Sequence, residues 1–173
     1  LAVVVPSTAQ RATWSNGQKP YFLLPSEDEW YKAAYHKNDG ITGNYWDYPT
    51  GVDTPSPGRD MNDPSGNNAN YCLFDQEGSR DYLLGTPYYR TEVGEFEMSD
   101  SPYGTFDQGG NVWEWNEAVI GSQRGLRGGS FDHYDYYLLA SYRDLNYPAY
   151  VNSSIGLRIV TIPEPATLTL LGL

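Results

Sequence analysis

The segment from residue 40 to residue 70 constrains the fold of this chain most, because it contains no periodic apolar pattern. It carries three runs rich in proline, glycine, asparagine and aspartate, at residues 48–51, 54–58 and 62–68. Loops of this length are uncommon in compact domains unless they are functional or are held by a metal ion. Asparagine and aspartate form turns readily and also offer oxygen ligands, so the sequence leaves both interpretations open.

The composition favours one domain whose core is built largely from aromatic rings. The chain has 173 residues, of which 15% are aromatic, and tyrosine alone accounts for 16. This length suits a single domain with a sizeable core. The 18 glycines and 12 prolines indicate many turns, and long amphipathic helical patterns are scarce. We therefore expect an α+β domain with short strands, few helices and long loops.

The net charge of −11 and the single cysteine argue against several functions. A chain this acidic, without a basic stripe, repels a phosphate backbone, so nucleic acid is not an expected partner. Cys72 has no second cysteine with which to form a disulfide, and two well-separated histidines do not suggest a zinc site. The surplus carboxylates are compatible with a divalent cation, although a solvated acidic surface is the commoner explanation.

The clearest local signal is a helix start at Ser26. Ser26 and Glu29 have the spacing of a capping box, in which each side chain bonds the backbone amide of the other residue. The pattern predicts a helix over residues 27–37 whose buried face carries Trp30, Ala33 and Ala34. Short strands are predicted at residues 20–24, 88–93, 126–131 and 156–160.

The run at residues 109–115, GGNVWEW, has two interpretations. In the first, a glycine bulge leads into a buried strand, the tryptophans fill the core, and an arginine neutralises Glu114. In the second, oxygens of Asn111 and Glu114 help to hold a calcium ion, which prefers carboxylate and amide ligands. A weaker hint of the same kind comes from Asn70 and Asp81, whose oxygens can converge with backbone carbonyls.

Five motifs, in this order, resemble the formylglycine-generating enzyme family, also called the sulfatase-modifying factors. They occupy residues 24–30, 48–51, 110–115, 127–131 and 156–158. The resemblance implies a C-type-lectin-like α+β fold with short antiparallel strands and long irregular loops. It divides the chain into a linker or remnant at residues 1–19, a domain at residues 20–161 that lacks the family's N-terminal part, and a distinct segment at residues 162–173.

The resemblance also implies two structural calcium ions. The first ion would be held by the side chains of Asn70 and Asp81 and by the carbonyls of Tyr71 and Leu83. The second would take its ligands from Gly110, Asn111, Val112 and Glu114. With this support we expect calcium as a structural cofactor.

The catalytic chemistry of the family does not carry over to this sequence. Active members oxidise a substrate cysteine to formylglycine with molecular oxygen, using two cysteines that bind copper(I). Those positions fall near His133 and Leu138, and a leucine can neither bind copper nor exchange a thiol. Cys72 lies far away in the sequence, beside the first calcium set. We therefore expect no catalytic residues and no copper.

Residues 163–165, Pro-Glu-Pro, resemble the start of a PEP-CTERM sorting signal, which a membrane helix and a basic tail normally follow. This resemblance implies export, processing by an exosortase, and a location at the cell envelope or outside the cell. The visible apolar piece is shorter than the roughly 20 residues that span a bilayer, so membrane contact would need the missing segment.

Two functional hypotheses follow, and a structural role in an extracellular matrix is a third. The first is a noncatalytic, calcium-stabilised binding module for a protein, peptide or glycan at the cell surface. Its candidate ligand surface comprises Trp115, Ser130, His133, Tyr134 and Tyr136. Tyrosines make contacts at low entropic cost, although they can equally serve only to pack the fold. The second hypothesis is an oxidase with altered chemistry, either formylglycine-forming or with an iron or copper centre around His133.

Overall fold

The computed structural model describes residues 22–75 and 77–160. Within these residues the elements are α1 (Glu27–Tyr35), β1 (Leu73–Phe74), β2 (Arg80–Asp81), β3 (Trp113–Ile120), β4 (Gln123–Arg127), a 3₁₀ helix (Asp135–Leu138), β5 (Asp144–Asn146) and β6 (Ile155–Leu157). Long loops connect them. The expected α+β class, with short strands, few helices and long irregular loops, is confirmed.

The strands form two sheets. β1 and β2 pair as a small antiparallel ladder, with Leu73 opposite Asp81. The larger sheet has the order β5-β4-β3-β6. In it, β4 is antiparallel to both β3 and β5, whereas β6 runs parallel to β3. This one parallel pairing arises because the chain leaves the edge strand β5 and returns to the opposite edge of the sheet.

Helix α1 begins where the capping box predicts. The Ser26 hydroxyl accepts a hydrogen bond from the Glu29 amide at 3.2 Å, and the Glu29 carboxylate accepts one from the Ser26 amide at 2.8 Å. Trp30 and Ala34 are buried, as predicted, whereas Ala33 is only partly buried. The helix ends at residue 35 rather than 37, because the backbone of His36 is already extended.

Aromatic residues make up half of each of the two core clusters. One consists of Trp30, Ala34, Tyr35 and Ala140. The other consists of Tyr48, Ala69, Tyr71 and Leu138. The Tyr35 hydroxyl donates to the Leu138 carbonyl at 3.0 Å and so joins the two. Burial raises the pKa of this hydroxyl far above its ordinary value.

The segment at residues 40–70 is irregular, as expected, and side-chain hydrogen bonds hold it. Isolated bridges join Tyr48 to Val52 and Gly58 to Asn68. The Asn68 side chain accepts from the Asp60 amide at 2.9 Å and donates to the Gly66 carbonyl at 2.8 Å. Turn chemistry therefore orders this loop.

Two of the predicted strands do not form in the part of the chain that is described. Near residues 20–24, Leu23 makes only an isolated bridge with Val160. At residues 88–93, side-chain amides take the place of a neighbouring strand. Asn70 donates to the Tyr89 carbonyl at 3.0 Å, and Asn111 accepts from the Thr91 amide at 3.1 Å. Such bonds satisfy backbone groups that a strand would otherwise pair.

Candidate functional site

The GGNVWEW motif forms the entry to β3 and places Glu114 in a buried ion pair. Gly110 has a φ of 76°, and a Cβ atom at this position would overlap the backbone of Asn70. Glu114 is 6% exposed. Its carboxylate accepts hydrogen bonds from Arg158 Nε at 2.6 Å, from Arg158 Nη2 at 2.7 Å and from Trp30 Nε1 at 2.5 Å. The structure thus has the arrangement of the first interpretation, a glycine turn, a buried strand and an arginine partner.

In this arrangement, the side-chain oxygens of the second predicted calcium set bond to other protein groups. Both oxygens of Glu114 face the Arg158 guanidinium, whose positive charge would repel a divalent cation at the same place. The Asn111 side-chain oxygen accepts from the amide of Thr91. The expected ligands of the second calcium ion are Gly110, Asn111, Val112 and Glu114. As arranged, they do not fit this ion, because the side-chain oxygens of Asn111 and Glu114 already accept hydrogen bonds from the protein.

The first predicted calcium set lies on two neighbouring segments. The β1–β2 ladder brings the chain after Asn70 alongside Asp81. Asn70 is 1% exposed, and its Oδ1 accepts no hydrogen bond from the described residues. Buried oxygens are normally satisfied, so this one fits a ligand to a cation. Asp81, in contrast, is exposed and pairs with Arg59 at 2.9 Å. The carboxylate would have to leave Arg59 to reach an ion beside Asn70.

That first set has a single carboxylate, and it is not a cluster of acidic or imidazole ligands. Across residues 22–75 and 77–160 there is no group of three or more histidine, cysteine, aspartate or glutamate side chains that could hold a metal ion. Any cation beside Asn70 would therefore depend on amide and carbonyl oxygens.

The two positions that correspond to the family's catalytic cysteines have different environments. Leu138 is fully buried in the second core cluster. His133 Nδ1 lies 2.7 Å from the Ser130 hydroxyl and 3.3 Å from Trp113 Nε1. An indole N–H can only donate, so Nδ1 must be an acceptor and the neutral ring carries its proton on Nε2. Burial lowers the pKa of His133, which agrees with a neutral imidazole.

Cys72 lies beside the His133 loop, contrary to the expectation from its distance in the sequence. The Cys72 amide donates to the His133 carbonyl at 2.9 Å. The side chain is completely buried, and burial raises the pKa of its thiol. A buried thiol of this kind forms thiolate poorly and is a weak nucleophile.

A set of rings surrounds His133, and we call it the aromatic cluster. It comprises Phe74, Trp113, His133, Tyr134, Tyr136, Tyr137 and Tyr142. Trp113 lies at its base and is 2% exposed, whereas Phe74 and Tyr136 are 55% and 57% exposed. The Tyr137 and Tyr142 rings pack edge to face, with centroids 4.7 Å apart. The cluster therefore joins a buried indole to a solvent-exposed face of rings.

The aromatic cluster differs from the predicted ligand surface at two positions. Ser130 is fully buried, so its hydroxyl orients His133 and cannot contact a ligand directly. Trp115 lies in β3 opposite Leu126 and Leu157, and the described residues show no ring contact between it and His133. Trp113, the first residue of β3, contacts His133 instead, with ring centroids 5.3 Å apart. His133, Tyr134 and Tyr136 do lie together.

Four members of the aromatic cluster were missed by sequence reasoning: Phe74, Trp113, Tyr137 and Tyr142. Trp113 could have been predicted as a member, because residues two apart on a strand point to the same face and Trp113 precedes Trp115 by two residues. For Phe74 the sequence offers no signal, because its contact with Tyr134 depends on how distant segments meet.

One family profile matches most of the chain. It is the sulfatase-modifying factor enzyme 1-like domain, and the match covers residues 7–162. The chain belongs to this family. No protein of curated function shows a significant sequence match.

Two solved structures share the fold of this family member. The crystal structure of CarF has a TM-score of 0.50 and 24% identity, and the match covers 81% of this chain and 46% of CarF. PvdO from Pseudomonas aeruginosa has a TM-score of 0.51 and 19% identity, with 88% and 57% of the two chains covered. At these identities the likeness concerns the fold. The chain spans about half the length of these two proteins.

In this sulfatase-modifying-factor domain, two ion pairs to Glu27 fix the loop behind the aromatic cluster. Arg127 donates to Glu27 at 2.8 Å, to the Ala140 carbonyl at 2.9 Å, and also to the Tyr142 carbonyl. Arg143 binds the same carboxylate. The first turn of α1 thus holds residues 140–143, and with them the Tyr142 ring, against the sheet.

The domain is expected to lose stability as the pH falls below about 6.5, the ordinary pKa of histidine in an unfolded chain. Burial lowers the pKa of folded His133, so the unfolded state binds a proton that the folded state does not. The contribution of neutral His133 to the free energy of unfolding is complete above the pKa of this residue in the unfolded chain. As the pH falls towards its pKa in the folded domain, the contribution declines by at most about 1.4 kcal/mol per pH unit. Urea denaturation across this range should show a smaller decline for His133→Asn, and an equal decline would refute the assignment. His36→Asn serves as the control.

Proposed function

We propose that this domain is a noncatalytic binding module for a protein, peptide or glycan, and that the aromatic cluster is its binding surface. One observation carries the proposal. At the two positions where the family's redox chemistry needs thiols, Leu138 is packed in the core and His133 Nδ1 is occupied by Ser130 and Trp113.

The chemistry of the available side chains supports the same conclusion. Copper(I) prefers soft thiolate ligands, and this sequence contains one cysteine. That residue, Cys72, is buried and its thiol has a raised pKa, so it is poorly suited to ligate copper or to exchange with a substrate thiol. A two-thiolate centre therefore cannot form within this sequence.

The proposal is tested by titrating the domain with copper(I) under anaerobic conditions against a chromophoric chelator. The domain should take no copper from the chelator, and Cys72→Ser should behave identically. Stoichiometric copper binding that is lost in His133→Ala would instead support the alternative, an oxidase with a metal centre assembled around His133.

We propose calcium as a structural cofactor at the first set, held by Asn70, Tyr71, Asp81 and Leu83. The buried Oδ1 of Asn70 and the neighbouring Asp81 segment support this assignment. Calcium takes carbonyl, amide and carboxylate oxygens together, and weak sites of this kind are filled in extracellular environments.

A chelator is expected to lower the melting temperature of the domain, and Asp81→Ala should abolish this response. Calcium that binds only the folded state at about a hundred times its Kd stabilises it by about 2.7 kcal/mol. The control is Arg59→Gln, which breaks the same ion pair but keeps the carboxylate, so it should retain the response. Calorimetry with and without chelator makes the comparison. An unchanged melting temperature in the wild type would reject the calcium site.

We also propose that the protein is exported and acts at the cell envelope after exosortase processing. Residues 163–165 support this and lie outside the described part of the chain. Among the described helices, none is long and apolar enough to cross a membrane. In the host, Pro163→Ala together with Pro165→Ala should prevent processing. Unchanged size and unchanged cell fraction would reject the proposed export route.

A further inference from the structure

We propose that the aromatic cluster recognises a cationic side chain, lysine or arginine, presented by a polypeptide partner. This inference rests on the proposed binding function and names the chemistry of its ligand. Its basis is the combination of a set of tyrosine rings that reaches solvent at Tyr136 with carboxylates that lack an ion-pair partner within the described residues.

The tyrosine rings form a pre-arranged surface. Tyr136 and Tyr142 have centroids 5.3 Å apart with an interplanar angle of 72°, and Tyr137 contacts both. Edge-to-face packing of this kind fixes the rings before a ligand arrives, which lowers the entropic cost of binding. The rings touch one another, so they do not enclose a cavity. A cation would therefore approach from the solvent side, over the exposed face of Tyr136.

Two carboxylates lie next to these rings without an ion-pair partner in the described structure. Asp144 begins β5, just after Tyr142, and its side chain accepts only the amide of Leu145, at 2.8 Å. Asp135 accepts the amide of Tyr136. After burial, its negative charge contributes to raising the pKa of Tyr48 and Tyr71, so this carboxylate also lies near the second core cluster. The negative charge of Asp144 contributes to raising the pKa of Tyr142, after burial, which agrees with its position beside that ring.

The basic residues of this region are already engaged. Arg80 pairs with Asp132, while Arg127 and Arg143 both pair with Glu27. No ion pair within the described residues balances the charge of these two carboxylates, and the full chain has a net charge of −11. A positive group gains from both the ring faces and the carboxylates, whereas a neutral sugar would gain only from the rings.

The test uses the intact domain and two matched peptides, acetyl-Gly-Gly-Arg-Gly-Gly-amide and the same peptide with neutral citrulline in place of arginine. Binding is followed by NMR, with the Trp113 indole N–H and the tyrosine rings as reporters. The arginine peptide should give saturable shifts at the aromatic cluster and bind at least about fivefold more tightly than the citrulline peptide at low salt. Added salt should reduce the difference.

Two substitutions on the surface should weaken the binding of the arginine peptide by about threefold or more. Tyr136→Ser removes a ring face, and Asp144→Asn removes a negative charge. The matched controls are Tyr88→Ser, which removes a 76% exposed tyrosine outside the cluster, and Asp28→Asn, which removes an exposed charge on α1. Both should bind like the wild type.

Equal binding of the arginine and citrulline peptides would overturn the cation inference, and so would binding that is insensitive to Asp144→Asn. A neutral oligosaccharide, maltotriose, is titrated in parallel. If only maltotriose shifts the NMR signals of the aromatic cluster, and Tyr136→Ser abolishes these shifts, the binding function is supported and the cation inference is wrong. If neither probe shifts the cluster, the cation inference also falls, while the copper titration still decides the proposed function separately.

Discussion

Glu114→Gln is expected to lower the free energy of unfolding by about 3 kcal/mol, and calcium should not alter this loss. The substitution keeps the shape of the side chain but removes the charge that balances Arg158. Glu114 is almost wholly buried, while the Arg158 side chain is 24% exposed. Water can compensate part of the unpaired guanidinium, which places the effect near the lower end of the range for broken buried pairs. Urea denaturation, with and without chelator, measures it.

The control for this substitution is Asp53→Asn in the Lys37–Asp53 pair. That pair has a similar separation, 3.1 Å, but its aspartate side chain is 46% exposed. Exposed pairs contribute little, so the control should cost less than about 1 kcal/mol. A loss in Glu114→Gln that disappears when chelator is added would mean that Glu114 binds calcium, and the arginine pairing would then be the wrong account of this residue.

Gly110→Ala is expected to destabilise the domain by about 3 kcal/mol, because two penalties coincide there. The left-handed φ of 76° costs a residue with a side chain about 1–2 kcal/mol. The added methyl would also overlap the backbone of Asn70, and crowding of this kind costs about 1–3 kcal/mol. For a domain of this size the melting temperature should fall by roughly 10 °C, which calorimetry can measure.

Gly121→Ala separates the two penalties. Gly121 has a φ of 61°, but no atom lies within 4 Å of the position that an added methyl would take, so it should lose only the conformational part. If Gly110→Ala and Gly121→Ala destabilised the domain equally, the close approach between the entry to β3 and Asn70 would not contribute, and the described packing of the motif would be wrong.

Features encoded by adjacent residues could be predicted from the sequence. The capping box of Ser26 and Glu29 forms as expected, because both groups lie within one turn of helix. The strand after the glycine pair also forms, since glycine permits the turn that precedes β3 and the tryptophan-rich run suits a buried strand. The family motifs added the long loops and the α+β class.

Features that depend on distant partners could not be predicted in the same way. The sequence allowed Glu114 to meet either a cation or an arginine, and only the parallel pairing of β6 with β3 brings Arg158 close to that carboxylate. Likewise, the bond from Cys72 to the His133 carbonyl joins segments far apart in the chain. The sequence also does not reveal which side chains are buried. Ser130 was predicted to lie on the ligand surface, but it is fully buried.

The geometry around His133 supports the proposal that this scaffold binds a partner rather than oxidising thiols. The ring is oriented by Trp113 and Ser130, and it supports a layer of tyrosines that reaches solvent at Tyr136. Arg127 fixes the backbone behind that layer. Each of these contacts stabilises a surface, and none supplies a soft ligand for copper(I).

Oxygen consumption is the most direct test of the claim that this family member binds without catalysing. The intact domain is incubated with copper(I) and a cysteine-containing sulfatase peptide, with an active member of the family as the positive control. We predict no oxygen uptake above the copper-only background and no formylglycine in the peptide. Turnover that is present in the wild type and absent in His133→Ala would contradict the account.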